Sequence, residues 1–576
     1  MRRMTSLAAL AFFAALTGCD NSPETAPPSE QATAQNAPTS SAPAKPAAEK
    51  TAEFSQFSYR GESQEDVTVG EGEFRNPIIS GYAPDPTVAR VGDDYYVVTS
   101  SFTHYPGLPI YHSKDLVNWT QVANAIDRPD QVDFSGLRAS RGIFAPDLSY
   151  HDGTYYLVTT CVDCDGNFVM TAEDPTGPWS DPHWLGFGGI DPSIYWADDG
   201  KAYIVNNDAP NEEPRYDGHR AIWIQEFDWQ NLKMVGERKQ LINGGVDITQ
   251  EPVWIEGPHI IKRNGYYYIT AAEGGTSVHH SQTIFRADNV WGPYTPADHN
   301  PILTQRDLEW EREDPIIAAG HAKFVQLPNG DWWATFLAIR PYNNDMFNIG
   351  RETFLLPVTW KDDWPYILPQ GERIPFAMEK PALPEQPPAE LPTAGNFGYT
   401  DSFDGDSLSL SWMGLRNPSE DFYQVDNGAL NLACRGGLGN LDVVPSFIGR
   451  RQQHHIADVS TTVTFDPTAE GDMAGLAAVQ SDTHLMFLGV TQLDGQKQVA
   501  LYRREGSTEG ELISAQPLES SAPVELTLAF NAGQMQASYE VDGTKHTLAE
   551  SVDATNLSTN VAGGFVGTLI GPYCAE

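Results

Sequence analysis

Three carboxylates draw attention in the 576-residue chain because each opens a short strand-like segment beside a turn residue. They are Asp85 in Pro84-Asp85-Pro86, Asp191 in Asp191-Pro192-Ser193 and Glu256 in Glu256-Gly257-Pro258. Carboxyl groups held across a narrow gap can hydrolyse a glycosidic bond. One, protonated, gives its proton to the leaving oxygen, while an ionised partner activates water or attacks the sugar. A further carboxylate nearby, together with partial burial, keeps the acid protonated near neutral pH. The residues for competing chemistries are missing: the chain has no HExxH, GxSxG, P-loop or Rossmann glycine fingerprint.

Taken singly, an Asp-Pro pair is a turn or a cap. An internal repeat changes that reading. A turn glycine followed by aromatic and β-branched residues recurs five times, at 92–98, 153–158, 200–205, 265–269 and 330–334. Each reads as a hairpin, and spacings of roughly 45–65 residues suit four-stranded blades of a propeller. Ahead of the five hairpins stand Asp85, Asp147, Asp191, Glu256 and His321. If the strands they open are the innermost ones, these positions converge on a central channel. The sequence therefore predicts an all-β protein: a five-bladed β-propeller over 73–380, followed by further strands.

At these residues a family resemblance becomes specific. Segments 81–88, 110–119, 189–194, 256–260, 320–322 and 350–353 resemble glycoside hydrolase family 43, the propeller β-xylosidases and α-L-arabinofuranosidases. The resemblance implies that Asp85 is the general base, that Asp191 raises the pKa of the acid and orients it, and that Glu256 is the general acid. It also implies inversion, with the base and acid roughly 6.5–9.5 Å apart. Arg351 matches an arginine that reaches the sugar, although a structural ion pair is a plain alternative. Phe102 is a candidate sugar-packing residue and equally a candidate for the core. His321 matches a channel histidine associated through water with calcium, and could instead be a buried hydrogen-bonding residue. No cofactor is implied for the chemistry itself. Ala83, where relatives often carry an aromatic, implies a wider site near Asp85, and Asp147 stays outside the catalytic set.

Residues 381–397 are Pro-rich and read as a stiff linker. Over 398–576 alternating strands suggest an antiparallel sandwich, and 401–404, 447–452, 474–476 and 567–571 resemble the concanavalin-like domain that ends two-domain β-xylosidases. In that architecture the sandwich helps to close an exo-acting pocket; an independent glycan-binding module is the other reading.

The N-terminus is of another kind. Two arginines and a short apolar run over 1–18 form a secretory signal ending in Leu16-Thr17-Gly18-Cys19, which resembles a lipoprotein box with Cys19 as the acylated residue. Residues 19–72 read as a Pro-, Ala- and Ser-rich disordered tether, placing the protein on a membrane of the bacterial cell envelope, at the periplasmic face or the outer membrane. The net charge of −41 argues against nucleic-acid partners. Cys161 and Cys164 can form a local disulfide in such a compartment, and Cys434 can pair with Cys574. The leading expectation is an enzyme releasing terminal β-D-xylose or α-L-arabinofuranose from oligosaccharides. A lipid-anchored propeller that binds glycans without catalysis, and a galactosidase or arabinanase using the same carboxylates, are the competing readings.

Overall fold

The computed structural model describes residues 50–343 and 345–576. The signal, Cys19 and most of the tether lie outside the described residues.

Five antiparallel sheets of four or five strands follow one another in sequence, as the repeat predicts. Their innermost strands are Thr87–Val91, Asp147–His151, Ile190–Trp196, Glu256–Arg263 and Ile317–Gln326. Each inner strand neighbours the next, and the fifth returns to the first, so the ring closes. The paired aromatics of the repeat are explained by strand geometry. Successive side chains point to opposite faces, and a blade is covered on both faces by its neighbours. Tyr155 thus packs toward Tyr96 and Val98 of the first blade, whereas Tyr156 packs toward Ile194 and Ile204 of the third.

The C-terminal part is a sandwich of an eight-stranded and a seven-stranded sheet. Its core joins Val459 and Leu528 of one sheet to Leu476, Leu488 and Ile570 of the other. One expectation needs correction here. Residues 51–62, read from the sequence as part of the tether, form a twelve-residue strand, Thr51–Glu62, in the middle of the larger sheet. It lies between Ala429–Ala433 and Ile456–Thr464 and buries Ala52, Phe54, Phe57 and Tyr59. From residue 51 the described chain therefore runs from the sandwich to the propeller and comes back. The crossing is fastened by Glu65, whose carboxylate is held by Arg340 at 2.9 Å.

The Pro-rich connector lies against the first blade rather than standing free. Gln386 accepts from the Lys114 backbone N–H at 2.6 Å, and Ser80 N–H donates to the Thr393 carbonyl at 2.8 Å. Cys161 is bonded to Cys164 and Cys434 to Cys574.

Candidate active site

Strand register sorts the channel residues into two tiers. Thr87, Asp147, Ser193, His259 and Lys323 pair with Val98, Val158, Val205, Thr270 and Thr335, the equivalent residues of the five second strands. Two residues upstream of that tier stand Asp85, Ala145, Asp191, Gly257 and His321. Asp147 is thus not equivalent to Asp85; it sits one tier deeper, and Ala145 takes the place in its blade. Glu256 reaches the upper tier as the neighbour of Gly257.

The upper tier is built from unusual backbone. Asp85, Asp191, Gly257 and His321 have φ of 55°, 54°, 56° and 55°. For Asp and His a left-handed conformation costs about 1–3 kcal/mol each and persists only where the surroundings enforce it. The ladder is interrupted at three of these sites, between Ile190 and Ser193, between Glu256 and His259, and around Gly320. Such bulges re-aim side chains, here toward a cavity of about 290 Å³ lined by Asp85, Asp191, Glu256, His321, Arg351 and Phe102 among others.

Environment separates the three carboxylates. Asp85 accepts from Arg351 Nη1 at 2.6 Å and from Ser100 Oγ at 2.6 Å. Burial opposes its ionisation, but Arg351, His321 and Ser100 together hold its pKa below the ordinary value. Asp191 accepts from the Gly257 backbone N–H at 3.1 Å. Burial pushes it up to about 6, with the negative Asp85 adding to the rise and His321 opposing it. Glu256 is raised well above the usual carboxylate range by burial, then by the charges of Asp191 and Asp85. One ionised and one protonated carboxyl on the same cavity is the requirement for acid–base hydrolysis.

A second wall comes from outside the propeller. Phe565, in a loop of the sandwich, packs with Phe102 and Phe144 at ring-centre distances of 6.0 and 5.8 Å, and those two lie 5.2 Å apart. Its backbone N–H donates to Ser140 Oγ at 3.0 Å, and its carbonyl accepts from Arg351 at 3.5 Å. The loop approaches so closely at Gly567 that a Cβ there would stand 2.8 Å from that of Tyr82.

Comparison with known proteins places this geometry. The family model described as Glycosyl hydrolases family 43 matches residues 74–365, and that of the Beta xylosidase C-terminal Concanavalin A-like domain matches 400–576. The chain belongs to glycosyl hydrolase family 43. It is 36% identical over 509 residues to a xylosidase/arabinosidase of Butyrivibrio fibrisolvens, covering 87% of this chain and 95% of that one. It is also 36% identical over 517 residues to a non-reducing end alpha-L-arabinofuranosidase of Bacteroides ovatus, covering 88% and 92%. A solved family 43 structure retrieved from a capybara gut metagenome superposes with a TM-score of 0.83 at 36% identity, covering 92% of this chain and all of the other.

Six sequence-derived propeller residues meet at this family 43 cavity: Asp85, Asp191, Glu256, His321, Arg351 and Phe102 line it. Ala83 is fully buried, its N–H donating to the Arg351 carbonyl at 3.0 Å. Phe144, Trp254, Thr276 and Phe565 line the cavity without having been singled out from sequence. For Phe565 the available signal was an aromatic set among the glycines of Gly563-Gly564-Phe565-Val566-Gly567. Direct coordination of the calcium expected through water at His321 is not supported by the protein side chains. Calcium takes six to eight oxygen ligands, and among the described residues no group of three or more His, Cys, Asp or Glu could hold a metal. The His321 ring lies instead against Gly257, with Nδ1 3.9 Å from Asp85 Oδ1. Its place is beside the ionised carboxylate.

Proposed function

We propose that this family 43 hydrolase is an inverting exo-pentosidase that releases terminal β-D-xylose or α-L-arabinofuranose from xylan-derived oligosaccharides. The observation that carries the reading is the division of the carboxylates, with Asp85 held ionised and Glu256 held protonated on one cavity. Asp85 takes a proton from water as its oxygen bonds to the anomeric carbon. Glu256 gives its proton to the glycosidic oxygen as that carbon–oxygen bond breaks. The sugar leaves with inverted configuration, and proton exchange with solvent restores both groups. Asp191 keeps Glu256 protonated and oriented, Arg351 holds Asp85 and contacts the sugar, and Phe102 packs on the sugar ring.

Two further features support the substrate class. A cavity of about 290 Å³, closed on one side by Phe565, suits one sugar unit better than a threaded chain. The names of the two relatives above are those of pentose-releasing enzymes. Purified protein assayed on 4-nitrophenyl β-D-xyloside and α-L-arabinofuranoside tests the reading. Release from one or both is expected, with the first-formed anomer of the inverted configuration by NMR. Release from neither, or undiminished turnover by Glu256→Gln, would overturn it. A galactoside or arabinan cleaved in their place would move the enzyme to another sugar.

We also propose that Cys19 carries a lipid and anchors the enzyme in the cell envelope, the Pro-, Ala- and Ser-rich segment up to residue 50 acting as spacer. Cys19→Ala should move the protein from the membrane to the soluble fraction. Its persistence in membranes would point to a different anchor. Among the described residues no helix is long and apolar enough to cross a membrane.

A further inference from the structure

One tier below the carboxylates, the five inner strands converge on a single side chain. Asp147, 1% exposed, accepts from Thr87 Oγ1 of the first blade at 3.2 Å and from the Ile194 N–H of the third at 3.0 Å. It is ion-paired with Lys323 of the fifth blade, and His259 Nδ1 of the fourth stands 3.6 Å away. Lys323 in turn donates to Thr87 Oγ1 and to the Leu148 carbonyl, both at 2.9 Å. Burial keeps His259 neutral, its pKa lowered to about 3, so the tier holds one carboxylate against one ammonium. Each of the four contacted residues lies two or three positions from an upper-tier group: Thr87 from Asp85, Ile194 from Asp191, His259 from Glu256 and Lys323 from His321.

We propose that Asp147 is a positioning residue for the hydrolysis. It fixes the heights of the five inner strands against one another, and with them the gap across which Asp85 and Glu256 act. The side chain touches neither of those carboxylates, and the cavity does not include it. Its influence runs through strand placement and through charge, since its anion offsets Lys323 immediately beneath the carboxylates. This rests on the assignment of base and acid given above.

Asp147→Asn tests it. The amide is nearly the same size but leaves the Lys323 ammonium without its counter-charge. A small displacement of reacting groups can lower turnover by up to roughly a hundredfold. The expected result is a fall in kcat of about ten- to a hundredfold at nearly unchanged KM. The added positive charge also moves the alkaline limb of the pH profile, set by the acid, to lower pH. The double variant Asp147→Asn with Lys323→Met restores neutrality, and should bring the limb back without restoring kcat. Thr87→Val removes the hydroxyl that ties the strand carrying Asp85 to Asp147, Lys323 and the Leu148 N–H; it keeps the test open if Asp147→Asn does not fold, with a smaller loss of kcat at constant KM expected. A folded Asp147→Asn, or Thr87→Val in its place, with wild-type kcat and pH profile overturns the proposal, as does a lower melting temperature with unchanged kcat per folded molecule. Failure of the base–acid assignment shows separately, as turnover retained by Glu256→Gln.

Discussion

The cavity has two walls made under opposite rules. The propeller wall is repetitive: one backbone device, a left-handed residue two places before the ladder resumes, is used at Asp85, Asp191, Gly257 and His321. The sandwich wall is singular: one loop and one phenylalanine, with contacts to Ser140 and Arg351. Chemistry that needs several groups on one axis comes from the repeat, because equivalent positions converge by symmetry. Closure of the pocket comes from the irregular element, which can be reshaped without disturbing the carboxylates. Variants in the two walls should therefore fail in different ways.

The largest effect comes from removing what joins the two regions. A chain starting at residue 63 lacks Thr51–Glu62, which pairs on both sides inside the larger sheet. Losing buried phenylalanines costs about 3–5 kcal/mol each, against a total stability on the order of 5–15 kcal/mol, and both Phe54 and Phe57 would go. The truncated chain should be insoluble or melt without a cooperative transition. Soluble, active protein from that chain would mean that the sandwich closes without this strand and that the walls are more independent than the topology suggests.

Next is the propeller wall. Asp85→Asn should lower kcat by roughly 10²–10⁴-fold, the usual range for a general acid or base, with KM changed far less. Arg351→Met tests the electrostatic part. Removing the guanidinium lets burial raise the pKa of Asp85, so the acidic limb of kcat/KM should move to higher pH. An unmoved limb would show that Arg351 serves only the sugar.

The sandwich wall should answer differently. Phe565→Ala opens one side of the cavity but leaves the carboxylates in place. Loss of that apolar wall predicts about a tenfold fall in kcat/KM, carried mainly by KM. A loss confined to kcat would make the loop part of the catalytic geometry and dissolve the contrast between the walls.

Sequence legibility follows the same division. The five aromatic-rich hairpins were readable because each blade is covered on both faces and must be apolar at successive positions. Asp85, Asp191 and Glu256 were readable because they fall at regular places before those hairpins. Asp147 was placed a tier too high, since Pro146-Asp147 resembles Pro84-Asp85 as text but stands two residues closer to its partner strand. Thr51–Glu62 was hidden by a register shift between Phe54 and Gln56, which breaks the alternation that marks a strand, and by the Pro- and Ala-rich sequence before it. Phe565 belongs to no repeat, and no local pattern reveals that a sandwich loop meets a propeller.

The smallest expected effect concerns the stability held against function in the propeller wall. Asp191 has its pKa raised by burial to about 6 in the folded protein, from an ordinary value near 3.8. The native state then binds that proton more tightly than the unfolded chain. The associated stability is fully present below about pH 4 and is lost as pH rises through about 6. Asp191→Asn removes the titration, and Asn tolerates the left-handed backbone that this position requires. At about 1.4 kcal/mol per pKa unit, the variant should gain on the order of 1–3 kcal/mol over wild type at pH 7 relative to pH 4. Thermal melts of both proteins between pH 4 and 7 read this directly: the wild-type midpoint should fall more steeply across that window, while the variant, flatter and more stable at neutral pH, should have lost most of its turnover. Parallel melting curves would mean that Asp191 ionises as easily in the cavity as in water, against the direction that its burial sets.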